Sequence, residues 1–149
     1  MTSALLFLHL LSFAAYVGAG FAQVRFLKRS VSAAPAVRDE LEQLCATTIT
    51  KIELPAIFGS MVTGAIMVAR APDYLHQGWL HGKLTAVLLL AVLSHLEMFN
   101  ARKIVNARAS GAESEIEGRR KRHATFGAIG SVLVAVVLVM VTFVRLHGG

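Results

Sequence analysis

Cysteine is almost missing from this chain, and its scarcity excludes several kinds of chemistry. Cys45 is the one cysteine in 149 residues, so an internal disulfide and a CxxC metal or haem-attachment motif are both excluded. The sequence also lacks a phosphate-binding glycine loop, a hydrolytic triad and a zinc motif. We therefore expect Cys45 to be a small apolar packing residue, and we look for the chemistry in other residue types.

Charged residues are scarce across four long stretches of the chain. The stretches Ala4–Val24 and Ala124–Val144 carry no charge, and each is long enough to cross a bilayer. With 55% hydrophobic residues and a mean hydropathy of +0.60, a chain this small could not bury its apolar surface in a water-soluble core. The sequence therefore predicts an integral membrane protein, with the lipid bilayer as its solvent.

These stretches predict an all-α fold, an integral membrane four-helix bundle, formed by a single transmembrane domain. The predicted helices cover about residues 3–29, 36–70, 75–109 and 115–146 of the domain 1–149. Pro55 lies inside the second helix, where its missing backbone donor predicts a kink. Ser114 and Glu117 have the spacing of a capping box at the start of the fourth helix.

Acidic residues are the minority charge, with nine Asp and Glu against fifteen Lys and Arg and a net charge of +6. The basic residues cluster beside the apolar runs, as topology signals and anionic-lipid contacts do, so we expect no nucleic-acid partner. The connections after the first and third helices are basic, whereas the second has only Arg70 against Asp73. In a bacterium this pattern predicts a multi-pass protein of the cell inner membrane with both termini periplasmic.

Histidine is the polar residue that stands out inside the apolar stretches, at His9, His81 and His95. A membrane-embedded imidazole costs free energy unless it is bonded or ligated, so it indicates a function by default. His81 and His95 are fourteen positions apart, which puts them on nearly one helix face and roughly 21 Å apart along the axis. One small ion cannot bind both.

The first helix carries a stripe of polar and small residues at helical spacing, which we expect to face the bundle interior. Its members are His9, Ser12, Tyr16, Gly20 and Gln23. His9 and His81 each lie about six residues inside their spans, so the two rings can share one depth. On facing helices they could ligate haem iron from both sides. The alternative is that each ring only bonds a neighbouring helix, and for His95 that bond and a second haem site are both open.

Charged groups beside the apolar stretches are further candidates. Lys83 near the outer interface and Arg25 near the inner one could each neutralise a carboxylate or a propionate, or could simply anchor a helix in the membrane. Glu97, Lys51 and Glu53 also lie inside or beside the spans, and some of these charged groups are expected to snorkel. His123 follows a basic run and is expected to be solvated or lipid-facing.

Several motifs resemble those of a known family. The segment Gly78–Leu84, Gly-Trp-Leu-His-Gly-Lys-Leu, is followed by an aliphatic run and His95, and resembles the third-helix signature of the small membrane protoporphyrinogen IX oxidases of the HemJ type. The spacing from His9 to Arg25 is similar to that family's histidine-to-arginine spacing. Pro55–Ala56, followed by a later glycine, resembles its second helix.

The resemblance implies a bundle that binds haem b, oxidises protoporphyrinogen IX to protoporphyrin IX, and passes electrons to a quinone or another membrane electron carrier. It implies that His9 and His81 are the haem ligands or essential histidines, and so the metal ligands. Lys83 and Arg25 would be the catalytic residues that contact the tetrapyrrole substrate or the haem propionates. Further candidates for cofactor binding are His95 and Tyr16.

Two alternatives remain beside this oxidoreductase. Related four-helix membrane proteins, including the copper-resistance D type, keep a similar bundle with other chemistry, so the chain could be a non-enzymatic haem or copper-binding protein. It could also be a structural membrane subunit whose histidines only bond neighbouring helices. A thin bundle with glycine-rich faces also suits a homodimer.

Overall fold

Four long helices make up the protein, and the all-α prediction is confirmed. The computed structural model describes residues 3–144. Its helices are Ser3–Ser30 (α1), Pro35–Ala69 (α2), Gly78–Ala109 (α3) and Glu113–Val139 (α4), the last continued by a π-helical turn at Met140–Val144. All four are long and apolar enough to cross a membrane. The predicted boundaries are close to these, and the predicted end of the fourth helix at residue 146 lies outside the described residues.

The irregularity expected at Pro55 takes the form of a π-helical turn in α2. This turn, Ile49–Glu53, separates the α-helical segments Pro35–Thr48 and Leu54–Ala69. Pro55 has no N–H to donate, and a local change of helix type accommodates the missing bond. The turn ends at Glu53, whose side chain is buried.

A glycine ends α3 and allows the short connection to α4. Gly111 has a φ of +73°, in the left-handed region that glycine adopts without steric cost. The N–H of Ala112 donates to the carbonyl of Ala107 at 2.9 Å, which closes the helix end. Ala112 then precedes α4 without a side-chain cap, so the predicted capping box is wrong because α4 already begins at Glu113.

Two apolar clusters form the core at different depths of the bundle. One lies toward the end that carries the α1–α2 and α3–α4 connections, which we call the basic end, and comprises Leu27, Cys45, Ile49, Met98, Ala101, Ile104, Ala107 and Ile116. The other lies further from the basic end and comprises Tyr16, Ile57, Ala86, Leu90 and Val137. The packing role expected for Cys45 is confirmed, since its side chain is fully buried.

The outer surface of the bundle is apolar, as a lipid-facing surface must be. Large hydrophobic side chains stay exposed on all four helices, among them Phe7, Phe21, Phe58, Phe99 and Val132. Such a continuous apolar surface is unusual for a protein in water. The exposure pattern therefore agrees with four membrane-spanning helices.

An ion-pair network joins the helices at the basic end. The buried carboxylate of Glu42 in α2 accepts two hydrogen bonds from Arg108 of α3, at 3.0 and 3.2 Å, and another from Arg120 of α4. Arg120 also donates to the Ser30 hydroxyl of α1 at 3.1 Å. One buried carboxylate therefore holds two helices directly and a third through Arg120.

We predict that Glu42→Ala destabilises the bundle strongly, because two guanidinium groups lose their buried partner. The expected loss is about 2–4 kcal/mol in the free energy of unfolding, measured by reversible denaturation in detergent micelles. The control is Glu117→Ala, which removes an exposed partner of Lys121 in an i,i+4 pair and should change the same quantity by less than about 0.5 kcal/mol. Equal stabilities for the two variants would contradict the role given to Glu42.

Candidate functional site

Four polar side chains, one from each helix, meet between the two apolar clusters. They form what we call the polar layer, which comprises Gln23, Glu53, Glu97 and His123. Each of the four residues is at most 5% exposed. Gln23 and Glu97 lie at the ends of apolar runs, and Glu53 and His123 lie immediately before such runs. The four therefore share one depth, at the boundary of the apolar zone nearest the basic end.

The side-chain amide of Gln23 connects this layer. Its nitrogen donates to Glu53 at 2.6 Å and, more weakly, to Glu97 at 3.4 Å. Its oxygen lies 3.0 Å from His123 Nε2, and because an amide oxygen only accepts, Nε2 of His123 carries a proton and donates. One residue of α1 thus bonds side chains of the three other helices.

The two carboxyl groups of the polar layer are neighbours. Glu53 and Glu97 share the amide nitrogen of Gln23 as their donor, at 2.6 and 3.4 Å. Two adjacent carboxylates in a poorly solvated interior repel too strongly for both to be ionised. The pair therefore stores at least one proton. Glu53 and Glu97 are buried and are therefore not among the charged groups that snorkel.

His123 is the member of the layer that the sequence analysis placed wrongly. It was expected at the surface because it follows a basic run, but it is 1% exposed, and its Nδ1 has no hydrogen-bond partner within the described part of the chain. The helical phase of α4 carries the missing information, since His123 lies on one face with Ile116 and Val137, at separations of seven and fourteen residues. Both of these neighbours are buried in the core.

A cavity of about 200 Å³ adjoins the polar layer between α1 and α4. Its polar end is formed by Gln23, Glu53 and Glu97. The rest is mostly apolar and includes Gly20 and Gly130. A Cβ added at either glycine would meet no atom within 4 Å. The missing side chains therefore leave open space where two packed helices would normally touch.

A pair of hydroxyl groups lies at the cavity wall. The buried Tyr16 lines the cavity, and its hydroxyl lies 3.4 Å from that of the buried Ser94 of α3. The predicted inward stripe of α1 is confirmed, because none of its five members is exposed. The structure places Tyr16 beside the polar layer, and its assignment as a cofactor contact stays a prediction.

His9 lies about 21 Å from the polar layer along α1, at fourteen residues' distance, and its ring is held by α2. Its Nδ1 is 3.0 Å from the Ser60 carbonyl oxygen and 3.0 Å from the Thr63 hydroxyl oxygen. Because a carbonyl only accepts, Nδ1 carries the proton, and the neutral ring keeps its lone pair on Nε2. A Cβ at Gly64 would come within 3.3 Å of the ring, so this glycine leaves room for the imidazole.

Lys83 is a charged residue that interacts with His9 across the bundle. Its side chain is partly buried on α3, and its ammonium group interacts electrostatically with the His9 ring. The Lys83 ammonium group and the His9 imidazole, with its available lone pair, are therefore within electrostatic reach of each other. Both lie in the half of the bundle opposite the basic end. This arrangement brings together two of the residues that the sequence analysis selected.

His81 and His95 face away from the bundle. His81 is exposed and lies nine residues from the buried Leu90, which is half a turn around α3. Its Nδ1 donates to the Gln77 carbonyl at 3.3 Å, and that of the exposed His95 donates to the Ala91 carbonyl at 2.7 Å. His95 therefore bonds its own helix instead of a neighbouring one.

Arg25 lies apart from both the polar layer and the His9 site. It is exposed and follows the buried Gln23 by two residues, which puts it on nearly the opposite face of α1. His9 lies sixteen residues away, or roughly 24 Å along the helix. The structure thus brings Lys83, but not Arg25, close to His9.

Among the described residues, the donor chemistry of His9 suits a haem. A single histidine can hold haem iron, and His9 offers an oriented Nε2 beside a cation that suits a propionate. One iron held between His9 and His81 inside a single bundle does not fit, because the two rings point into different surroundings. Within residues 3–144, no three His, Cys, Asp or Glu side chains are grouped to hold a metal ion without such a cofactor.

Comparison with protein-family models, curated proteins and solved structures finds no match to this chain. The assignment of a function therefore depends on the geometry of the polar layer, the cavity and the His9 site.

We predict that Gln23→Leu destabilises the protein, because Glu53, Glu97 and His123 all lose a buried hydrogen bond. The expected loss is about 3 kcal/mol in the free energy of unfolding, measured in micelles. Gln43 of α2 is exposed, and the same substitution there should cost less than about 0.5 kcal/mol. A Gln23→Leu protein as stable as the Gln43→Leu control would show that the amide does not organise the layer.

Proposed function

We propose that this protein is a membrane oxidoreductase that binds haem b through His9 and acts on a tetrapyrrole, as protoporphyrinogen IX oxidase does. The observation that carries the proposal is the held imidazole of His9. Its Nδ1–H donates to a backbone carbonyl of the neighbouring helix, and ligating histidines commonly use their second nitrogen in this way. That bond sets the tautomer and the direction of the Nε2 lone pair.

Lys83 supports the same site. A tetrapyrrole carries acidic side chains, and a partly buried ammonium group beside the ligand would neutralise one of them. Lys83 lies within electrostatic reach of His9, so one tetrapyrrole could meet both residues. A bound haem supplies one-electron redox chemistry at its iron, while these two side chains orient the ring system.

Within this chain, His9 alone would hold the haem. His81 is exposed on the outer side of α3, so we place it outside the iron site, and we give the same position to His95. The basic connections after α1 and α3 support a bacterial inner-membrane location with both termini periplasmic. His9 would then lie toward the periplasmic side, and the polar layer toward the cytoplasmic side.

The visible spectrum of the purified protein tests the haem assignment. With full haem supply during expression, we expect a b-type reduced-minus-oxidised spectrum that His9→Ala abolishes, because that variant removes the ligating nitrogen. His76→Ala, which removes an exposed histidine, is the matched control and should leave the spectrum intact.

His81→Ala separates single ligation from the paired ligation predicted from the sequence. We expect this variant to keep its haem, with the same spectrum as the wild type. Loss of haem in His81→Ala would instead support the His9–His81 pair. A colourless wild-type protein would overturn the haem assignment itself.

Enzyme and carrier are separated by an anaerobic assay with protoporphyrinogen IX and a soluble quinone. We expect Lys83→Met to raise KM roughly tenfold with a smaller change in kcat, because it removes a contact that the substrate carboxylate makes in both ground and transition states. Lys51 is exposed on α2, and Lys51→Met should leave both constants unchanged. A haem-loaded wild type without turnover would support a carrier instead of an enzyme.

A further inference from the structure

The cavity beside the polar layer has an opening toward the lipid-facing side of the bundle. Phe21 and Val24 of α1 line it and are 69% and 45% exposed. On the α4 side, the exposed Ser131 lines the same cavity. A molecule dissolved in the bilayer could therefore enter between α1 and α4 without crossing water.

The cavity is apolar along most of its length and polar at one end. The apolar part includes Val17 and Val134, whereas Gln23, Glu53 and Glu97 form the inner end. Glu97 Oε1 lies 3.7 Å from the position of a Cβ at Gly127, and Gly127 is itself a lining residue. One carboxyl oxygen thus faces the open space, while the other lies near the Gln23 amide.

This arrangement suits an apolar ring that carries hydrogen-bond acceptors. A dry cavity of about 150 Å³ holds benzene in another protein, so about 200 Å³ has room for one substituted ring system. A protonated carboxyl group at the inner end can donate to a ring carbonyl, whereas an inorganic cation would have to enter past Phe21 and Val24. The apolar entrance favours the lipid-soluble ligand.

We propose that this cavity binds a membrane quinone, which serves as the electron acceptor of the oxidoreductase. This inference rests on the proposed function, which supplies the electrons. The binding site itself is inferred from the cavity. Tyr16, which lines the cavity, is seven residues from His9, or about 10 Å along α1. The acceptor would thus lie between the tetrapyrrole site and the polar layer.

Oxidation of the tetrapyrrole releases two electrons and two protons. The quinone takes up the two electrons and two protons, one on each carbonyl oxygen, and leaves as a quinol. The first proton comes from the Glu53–Glu97 pair, which stores one. Solvent water supplies the second proton and the one that restores the pair, which equals the two protons that the tetrapyrrole releases. The polar layer is therefore the source of the first proton for quinone reduction.

Two glycines of α1 provide a matched test of the site. Gly20 lines the cavity and Gly18 does not, and an added Cβ meets nothing within 4 Å at either position. Gly20→Leu should therefore fill the cavity without a clash, whereas Gly18→Leu adds the same side chain outside it. Both proteins are expected to fold, which circular dichroism and size-exclusion chromatography check.

The measurement is photolabelling of the full chain in nanodiscs by an azido-quinone, in competition with decylubiquinone. We expect competable labelling of peptides from α1 and α4 that line the cavity, reduced roughly tenfold in Gly20→Leu and unchanged in Gly18→Leu. Equal labelling of the two variants, or labelling confined to other peptides, would overturn the proposal.

Glu97→Gln tests the proton source separately from binding. The amide keeps the size of the side chain and a donor for the ring carbonyl, so we expect labelling within a few-fold of wild type but quinone reduction slowed at least about tenfold. Unchanged reduction in this variant would remove Glu97 from the proton path.

The haem spectrum, recorded on the same samples, distinguishes the two proposals. A colourless protein that still shows Gly20-dependent labelling would overturn the haem function and support the quinone site. A haem-loaded protein without such labelling would support the haem function and overturn the quinone site.

Discussion

The amide of Gln23 is the interaction on which the bundle centre depends. In lipid, apolar side chains give helices little reason to prefer one another, so close packing and interhelical hydrogen bonds select the arrangement. An amide offers donors on one side and an acceptor on the other, and Gln23 uses them toward Glu53, Glu97 and His123. These bonds hold all four helices at one depth, where each buried polar group would otherwise be costly.

The polar layer also separates two parts of the bundle that differ in their contacts. Toward the basic end, the Glu42 network with Arg108 and Arg120 joins the helices, and the adjoining apolar cluster packs between that network and the layer. On the other side of the layer, the first and last helices leave a cavity, and beyond it α2 holds His9. The His9 site and the polar layer therefore lie at different depths of one bundle, with the cavity between them.

Sequence periodicity predicted much of this correctly, and its failures have a common cause. The helices and the inward stripe of α1 follow from local spacing, because the direction of a side chain repeats with the helical turn. Depth alone, however, suggested that His9 and His81 could face each other, whereas α3 turns His81 outward and Leu90 inward. For His123, the neighbouring charges suggested a surface position, although the buried residues at helical spacing along α4 indicated the core.

By itself, the sequence determined the four spans, the apolar outer surface and the polar stripe of the first helix, because each depends only on composition and helical phase. The tertiary structure alone decided that Glu53 and Glu97 share the amide nitrogen of Gln23, that His123 bonds Gln23, and that Ser60 holds His9. Such contacts depend on which helices are neighbours and how each is rotated about its axis. In a membrane, that rotation is set by interhelical packing and hydrogen bonds, which no single helix carries in its own sequence.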